Sequence, residues 1–130
     1  MIKNCPFCDI AITASCERII RQNEMAFVIR DGYPISSGHT LIIPKRHIAS
    51  FFDATETERQ VLFKLLDQEK TRLDNEFRPA GYNIGINDGP AAGQTVPHLH
   101  IHLIPRYEGD VEDPRGGIRW IVPEKAKYWP

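Results

Sequence analysis

The chain has 130 residues, 42% of them hydrophobic and 25% charged, with a formal net charge of -1 at pH 7. This length allows one domain with a sizeable core, and the balanced charge argues against nucleic acid polymers or anionic membranes as partners, because both favour a basic excess. The polar start MIKNCPFCDI has no apolar leader, and no run of about eighteen apolar residues follows. We therefore expect one cytoplasmic domain over residues 1–130, with residues 106–130 as its tail.

The first predicted elements are two short strands, ERIIRQNE and MAFVIRD, which a polar turn joins into a hairpin. The segment 31–39 that follows is rich in Gly, Pro and Ser and is predicted to be a loop. TLIIP after it is a continuous apolar strand that ends at Pro44.

A long helix is the strongest predicted element. Thr55 and Glu58 have the spacing of a capping box, and apolar residues then recur at helical spacing. Because Pro79 and Gly81 end this pattern, the helix is predicted over about residues 56–77. The apolar stripe consists of Val61, Leu62, Leu65, Leu66, Leu73 and Phe77.

The second half of the chain adds strands and loops. YNIGIN is predicted to be a strand, DGPAAGQTV a glycine-rich loop and HLHIHLIP the last strand of the sheet, while IRWIV in the tail has the composition of a further short strand. Several strands with one long helix inserted, rather than strict alternation, predict an α+β fold with an antiparallel meander sheet.

Three histidines alternate with apolar residues in the last predicted strand. Side chains two residues apart in a strand lie on the same face at about 6.5 Å, so His98, His100 and His102 form one row. Two neighbours in this row can chelate one ion, but the third lies about 13 Å along the strand from the first. At most two of the three histidines therefore bind the same metal, and the remainder have another role.

The segment HLHIHLI resembles the signature of the histidine triad (HIT) family of nucleotide hydrolases and transferases. The resemblance extends to FCDI near the N-terminus, to GHTLIIPKRH at 38–47 and to NDGPAAGQTVPHLHIH at 87–102, with matching order and spacing up to Arg106. It is strongest toward the Hint-type and bacterial branch. It implies a HIT-like α+β fold, with about five antiparallel strands, one long inserted helix and a short N-terminal helical turn.

The resemblance implies cleavage at the α-phosphate of a nucleotide through a nucleotidyl-histidine intermediate. His100 corresponds to the nucleophile, His102 to a donor to a phosphate oxygen, and His39 to a supporting fourth histidine. Neutral imidazole is nucleophilic near pH 7, and a covalent intermediate divides one difficult displacement into two easier ones. Gln94 and Thr95 correspond to positions that contact the phosphate and the leaving group.

The substrate-binding residues also follow from the resemblance. Asp31 matches the acid that binds both ribose hydroxyls, and a carboxylate suits a vicinal diol because its two oxygens accept two hydrogen bonds. Asn87 and Gly93 match positions beside the phosphate, where glycine lets the backbone approach closely. The expected nucleoside is adenosine or guanosine. The apolar side of the base pocket is expected to consist of Phe7, Ile10, Phe27 and Ile29.

The motif Cys5-Pro-x-Cys8 has two interpretations. In glutaredoxin-like redox proteins such a motif follows a strand and begins a helix, whereas only four residues precede it here. We favour half of a zinc site. The resemblance to bacterial triad proteins and to galactose-1-phosphate uridylyltransferases implies His47 and His98 as the other two ligands. Zinc with four protein ligands is structural, and the chemistry then requires no metal.

Three functions are compatible with the sequence. The first is a hydrolase or transferase for purine nucleoside phosphoramidates or dinucleoside polyphosphates. The second is a nucleotide-binding regulatory module with little activity, and the third is a zinc-dependent hydrolase that chelators stop at once. The resemblance also implies a homodimer with sheets joined edge to edge. The cations of the tail are interpreted mainly as surface residues: Arg106, Arg115, Arg119, Lys125 and Lys127.

Overall fold

A computed structural model describes residues 4–13 and 16–130. Within them the strands are β1 (Ile19–Gln22), β2 (Ala26–Arg30), β3 (Thr40–Pro44), β4 (Gly81–Gly85) and β5 (Ile101–Arg106), and the helices are α1 (Pro6–Ala11), α2 (Glu56–Phe77) and α3 (Pro123–Ala126). The strands form one antiparallel sheet in the order β1-β2-β3-β5-β4. This arrangement confirms the predicted α+β fold, with its five strands, long inserted helix and short N-terminal helical turn.

Helix α2 begins at the predicted capping box. The Thr55 hydroxyl accepts a hydrogen bond from the Glu58 N–H at 3.1 Å, and the Glu58 carboxylate accepts one from the Thr55 N–H at 2.9 Å. These bonds satisfy backbone donors that a helix start leaves without partners. The helix ends where Arg78 adopts the left-handed conformation, with φ 51°. In the predicted stripe, Leu62, Leu65 and Leu73 are buried, and Val61, Leu66 and Phe77 are partly buried.

The sheet separates two hydrophobic clusters. One face packs on α2, with Val28 and Ile42 against Leu62 and Leu73 among others. The opposite face packs on α1 and buries Phe7, Ile10, Phe27, Ile29, Leu41 and Ile43. Neighbouring residues of a strand point to opposite faces, so β2 and β3 contribute to both clusters and are buried nearly throughout. Helix α1 lies on the histidine side of the sheet, since the Phe7 ring contacts the rings of His98 and His100.

The last strand is shorter than predicted, because it begins at Ile101, where it pairs with Ile42 of β3. His98 and His100 therefore lie in the segment that leads into the strand. The backbone there bonds to loops instead of to β3: the His98 N–H donates to the Val96 carbonyl at 2.8 Å, and the Leu99 N–H donates to the Ile48 carbonyl at 2.7 Å.

The prediction of a strand at IRWIV was wrong. Residues Gly117–Ile121 form a 3-10 turn that leads into α3. Gly116 has a φ of 95°, which reverses the chain before this segment, and Pro123 has a φ suited to the first turn of a helix.

Polar groups of the tail form hydrogen bonds with other residues of the tail. The Trp120 indole N–H donates to the Arg115 carbonyl at 2.7 Å, and the guanidinium groups of Arg115 and Arg119 lie over the rings of Trp129 and Tyr128. These two arginines therefore contribute to the packing of the tail as well as to its surface. Across the described part of the chain, no helix has both the length and the apolar composition to span a bilayer.

Candidate functional site

Two cysteines and two histidines meet beneath the segment that leads into β5. Cys5 and Cys8 lie at the start of α1, His47 follows β3, and His98 precedes β5. Nδ1 of His98 lies 3.4 Å from Sγ of Cys5 and 3.5 Å from Sγ of Cys8. Nδ1 of His47 lies 3.2 Å from Sγ of Cys8 and 3.1 Å from Nδ1 of His98. We call these four residues the cysteine–histidine cluster.

The spacing of the cysteine–histidine cluster fits tetrahedral zinc. Bonds of about 2.3 Å to sulfur and about 2.0–2.1 Å to nitrogen separate tetrahedral ligand atoms by about 3.3–3.8 Å. The measured separations of 3.1 to 3.5 Å lie close to this range. Nε2 of His98 donates to the Pro44 carbonyl at 2.8 Å, so Nδ1 keeps its lone pair for a ligand bond. The residues therefore fit a bound zinc ion.

The same cluster is unfavourable for a thiolate when no cation is bound. Burial, and after it the neighbouring Cys5, raises the pKa of the Cys8 thiol to about 11. A divalent cation reverses this preference, because it stabilises the deprotonated thiolate that coordinates it.

A second cluster consists of Asp31, His39 and His102. Nε2 of His39 lies 2.9 Å from Nδ1 of His102 and 3.3 Å from Oδ2 of Asp31. Nδ1 of His39 accepts a hydrogen bond from the Ile35 N–H at 3.2 Å, so the neutral His39 ring carries its proton on Nε2. The Nε2–H group of His39 therefore donates to Nδ1 of His102. A neutral His102 then carries its own proton on Nε2, from which it can donate. We call these three residues the carboxylate–histidine cluster.

The carboxylate–histidine cluster is also compact enough for a metal. Coordination there requires a lone pair on Nε2 of His39. In the neutral ring this atom carries a proton instead, because Nδ1 accepts the hydrogen bond from the Ile35 N–H. The two clusters thus differ in chemistry: the first offers lone pairs to a cation, whereas the second passes a hydrogen bond from His39 to His102.

His100 lies between the two clusters. Its Nδ1 is 2.8 Å from the main-chain carbonyl oxygen of His98. A carbonyl only accepts, so Nδ1 carries the proton and Nε2 keeps the lone pair that a nucleophile needs. The ring of His100 lies 5.0 Å from the ring of Phe7 and 5.0 Å from that of His102, measured between centroids, and these contacts limit its rotation.

Burial keeps the neighbouring imidazoles neutral. It lowers the pKa of His102 to about 4, with smaller contributions from His100 and His39. The pKa of His39 is also lowered by burial, against the opposing effect of Asp31, and burial lowers the pKa of His98. At pH 7 these three rings are neutral, as the assignment of their protons above requires.

Gln94 binds the backbone of its own loop and of a neighbouring one. Its Oε1 accepts from the Gly89 N–H at 2.8 Å, and its Nε2 donates to the carbonyls of Ala49 at 2.9 Å and Val96 at 3.2 Å. Both ends of the amide are engaged, so Gln94 joins the glycine-rich loop to the segment after His47. Its contact with a phosphate remains a prediction.

The other residues predicted beside the phosphate lie on the surface of this loop. Gly93 has a φ of 91°, which favours glycine, and a Cβ there would meet no atom within 4 Å. The side chains of Asn87 and Thr95 are exposed. The loop therefore presents these residues to solvent near the triad segment.

The residues predicted to form the apolar side of the base pocket are buried in this structure. Phe27 and Ile29 have no exposed surface, and Phe7 and Ile10 are buried beside them where α1 packs on the sheet. Alternating side chains of β2 place Phe27 in the core, and its role beside the base stays a prediction. Phe7 reaches the site through its contact with the His100 ring.

A cavity of about 400 Å³ instead opens beside the carboxylate–histidine cluster. Asp31 and His39 line it, together with Arg30, Phe77 and the loop 34–38. Its volume falls within the range of about 300–1,000 Å³ that small-molecule sites occupy. The residue predicted to bind ribose, Asp31, thus lines a cavity of suitable size.

Sequence reasoning did not identify which main-chain groups decide where the protons lie. They are the Ile35 N–H, the Pro44 carbonyl and the His98 carbonyl, all of the main chain. A backbone group has no residue-type signature, so only the three-dimensional contacts identify it.

Comparison with known proteins identifies the family to which this chain belongs. The sequence profile of the HIT domain matches residues 13–109. An uncharacterised HIT-like protein of Mycoplasma genitalium is 38% identical over 105 residues, which cover 81% of this chain and 74% of that protein. The asymmetrical bis(5'-nucleosyl)-tetraphosphatase of Schizosaccharomyces pombe is 41% identical over 80 residues, 62% of this chain and 44% of that enzyme.

Among solved structures, a zinc-bound histidine triad family protein from Mycobacterium smegmatis superposes with a TM-score of 0.75 at 31% identity, covering 95% of this chain and 94% of that one. The profile match spans most of the chain, and the fold agrees with it. The chain therefore belongs to the HIT family.

Proposed function

We propose that the chain is a nucleotide hydrolase or transferase that cleaves at the α-phosphate through a nucleotidyl intermediate on His100. The observation that carries this proposal is the 2.8 Å bond from Nδ1 of His100 to the His98 carbonyl, because it leaves a lone pair on Nε2. A module that only binds nucleotide does not need such an unprotonated nitrogen. The similarity to the S. pombe tetraphosphatase supports a dinucleoside polyphosphate as substrate, and nucleoside phosphoramidates are the alternative.

In the proposed reaction, Nε2 of His100 attacks the α-phosphorus and the bond from phosphorus to the leaving group breaks. Nε2–H of His102 donates to a phosphate oxygen as negative charge develops there. The Nδ1–H bond to the His98 carbonyl persists and stabilises the positive charge of the modified ring. Water then cleaves the phosphorus–nitrogen bond, releases the nucleotide and restores neutral His100.

We propose that Cys5, Cys8, His47 and His98 hold a structural zinc ion. Zinc bound there supplies a cross-link between α1 and the triad segment, and four protein ligands leave no position for a reacting water. The ligand spacing and the zinc-bound M. smegmatis relative support this assignment.

We also propose a homodimeric assembly and a cytoplasmic location. Strand β4 is an edge strand of the sheet, and Ile84 within it is 51% exposed, so we propose a homodimer joined along this edge. The cysteines are free, as expected in a reducing compartment, and we place the protein in the cytoplasm. We infer a purine nucleotide as substrate and neither a nucleic acid polymer nor a membrane as partner.

The test is release of AMP from adenosine 5'-phosphoramidate and from diadenosine tetraphosphate by the wild type and by His100→Ala, with and without a brief exposure to chelator. We expect release by the wild type, loss in the variant and no effect of the chelator. Binding of AMP without turnover of either substrate would favour the regulatory module. Immediate loss on chelation would favour the zinc-dependent hydrolase.

A further inference from the structure

The hydrogen bond between the rings of His39 and His102 can run in either of two directions. In the first state, Nε2–H of His39 donates to Nδ1 of His102 over 2.9 Å, and His102 holds its own hydrogen on Nε2. In the second state, Nδ1–H of His102 donates to Nε2 of His39, and Nε2 of His102 keeps a lone pair. The two neutral rings share one hydrogen bond in either state, so contacts outside the pair decide between the states.

Two contacts of His39 favour the first state. The Ile35 N–H donates to Nδ1 of His39 at 3.2 Å, and in the second state this nitrogen would itself carry a hydrogen, so that two N–H groups would face each other. Oδ2 of Asp31 lies 3.3 Å from Nε2 of His39, where its negative charge favours an N–H over a lone pair. The state of His102 therefore depends in part on where loop 34–38 places the Ile35 N–H.

The part of loop 34–38 around Ile35 has little packing. At Gly38 the loop lies close to α2, since a Cβ there would be 2.8 Å from Cδ2 of Leu73. The Ile35 side chain, in contrast, is 74% exposed, and residues 34–38 line the cavity of about 400 Å³ beside the carboxylate–histidine cluster. A segment with few buried apolar contacts shifts at low cost, so its position depends on the hydrogen bonds that hold it.

Tyr107 bonds to this loop from the C-terminal end of β5. Its hydroxyl donates to the Ser37 carbonyl at 2.6 Å, two residues from the Ile35 N–H. Tyr107 directly follows β5, the strand that carries His102, and its own N–H donates to Asp110 at 3.1 Å. Burial raises the pKa of Tyr107, so the hydroxyl keeps its hydrogen near pH 7. The bond therefore ties the loop to the strand whose histidine ring the loop influences.

We propose that Tyr107 is a positioning residue for His102: its hydroxyl holds loop 34–38 where the Ile35 N–H selects the first state. Only in that state does Nε2 of His102 have a hydrogen to donate to a phosphate oxygen as charge develops. In the second state the same nitrogen presents a lone pair, which stabilises no negative charge. This inference rests on the proposed function, and its effect is on kcat, because only the molecules in the first state have the donor.

The kinetic test is Tyr107→Phe, which removes the hydroxyl and keeps the ring. We expect kcat for diadenosine tetraphosphate or adenosine 5'-phosphoramidate to fall about two- to tenfold, the scale of one neutral hydrogen bond, with KM nearly unchanged. The matched control is Tyr128→Phe, which removes a hydroxyl from an exposed side chain of the tail and should keep the wild-type kcat. A wild-type kcat in Tyr107→Phe, or an effect confined to KM, would overturn the proposal.

The second measurement needs no turnover and follows the imidazole nitrogens of His39 and His102 by NMR near pH 7. In the wild type and in Tyr128→Phe we expect both rings to carry their hydrogen on Nε2. In Tyr107→Phe a fraction of both rings should carry it on Nδ1, and the fraction that keeps it on Nε2 should match the ratio of the variant kcat to the wild-type kcat. Unchanged tautomers in Tyr107→Phe would overturn the inference. Absence of turnover by the wild type, with the tautomer shift present, would count against the proposed function alone.

Discussion

The cysteine–histidine cluster and the carboxylate–histidine cluster are built from similar side chains at similar distances, yet they are suited to different chemistry. Polar atoms lie 3.1 to 3.5 Å apart in the first and 2.9 to 3.3 Å apart in the second. The difference lies in main-chain contacts. The Pro44 carbonyl directs the lone pair of His98 into the first cluster, whereas the Ile35 N–H directs the proton of His39 into the second. Backbone partners thus separate a candidate metal site from a hydrogen-bond relay.

His98 connects the cysteine–histidine cluster to the predicted nucleophile. Its side chain is fully buried in that cluster, and its carbonyl accepts from Nδ1 of His100. His100 in turn contacts the ring of His102 in the other cluster. The two clusters therefore flank the predicted nucleophile: one includes His98, whose carbonyl bonds to it, and the other places the His102 ring beside it.

The largest expected effect comes from His102→Ala, which breaks the relay and leaves the metal ligands intact. We expect kcat to fall about 10²–10⁴-fold, the usual contribution of a positioned proton donor. Zinc content, measured by metal analysis, should stay at the wild-type value, since His102 makes no contact with the four ligand atoms. Loss of zinc from this variant would contradict the separation of the clusters.

The reciprocal change is the double variant Cys5→Ala, Cys8→Ala. Removing both sulfur ligands should abolish stoichiometric zinc and lower Tm by about 5–10 °C, because a structural ion contributes folding energy. AMP release below the new Tm should be reduced but retained. Cys16→Ala is the control and should bind zinc like the wild type. Stoichiometric zinc in the double variant would show that the ion is bound elsewhere.

The pH dependence of stability sharpens the comparison further. The pKa of His102 is about 4 in the folded protein, below the value of about 6.5 for an unfolded histidine. Between these values the unfolded chain binds more protons, so stability is full above about pH 6.5 and is lost as pH falls toward 4. For His102 alone the loss is on the order of 2–3 kcal/mol. Denaturation by urea from pH 7 to 4 should show a shallower decline for His102→Asn; an unchanged slope would contradict the pKa.

The smallest expected effect concerns Glu58, which connects α2 to the segment before His47. Its carboxylate binds the Arg46 guanidinium at 2.7 and 3.0 Å, and this pairing lowers the pKa of Glu58 to about 2. Glu58→Gln keeps an acceptor for the capping box and removes the charge, so we expect a loss of about 1 kcal/mol at pH 7.

A depressed carboxyl pKa stabilises the folded state above the unfolded value of about 4.5, and this stabilisation disappears as pH falls toward 2. The difference between Glu58→Gln and the wild type in urea denaturation should therefore shrink over that range. Glu56→Gln, an exposed neighbour in the same helical turn, is the matched control and should show little difference at any pH. A constant Glu58→Gln difference down to pH 2 would show that the charge is not the cause.

Local patterns were sufficient for most of the fold. Helix α2 runs from its capping box at Thr55 to Phe77 as predicted, because capping and helical periodicity depend on residues within a few positions of one another. The five strands predicted for the sheet also appear, with the last one shortened, whereas IRWIV forms no strand. It is shorter because the Leu99 N–H donates to the Ile48 carbonyl in a distant part of the sequence, which no local pattern reveals.

Part of the candidate site was likewise predictable from the sequence, and part was not. The resemblance to triad proteins was enough to predict that Cys5, Cys8, His47 and His98 lie together and that His39 lies beside the triad, whereas the position of Asp31 next to His39 and His102 was not predicted. Spacing did not reveal that Phe27 is fully buried or that both ends of the Gln94 amide bind backbone.

The sequence by itself determined which side chains are available for metal binding and for phosphoryl chemistry, and which helices and strands carry them. Only the tertiary structure decided where each imidazole holds its proton. The physical reason is that main-chain donors and acceptors choose the tautomers: the Ile35 N–H for His39, and the carbonyls of Pro44 and His98 for His98 and His100. Every residue carries these same backbone groups, and folding alone determines which of them meets a histidine ring.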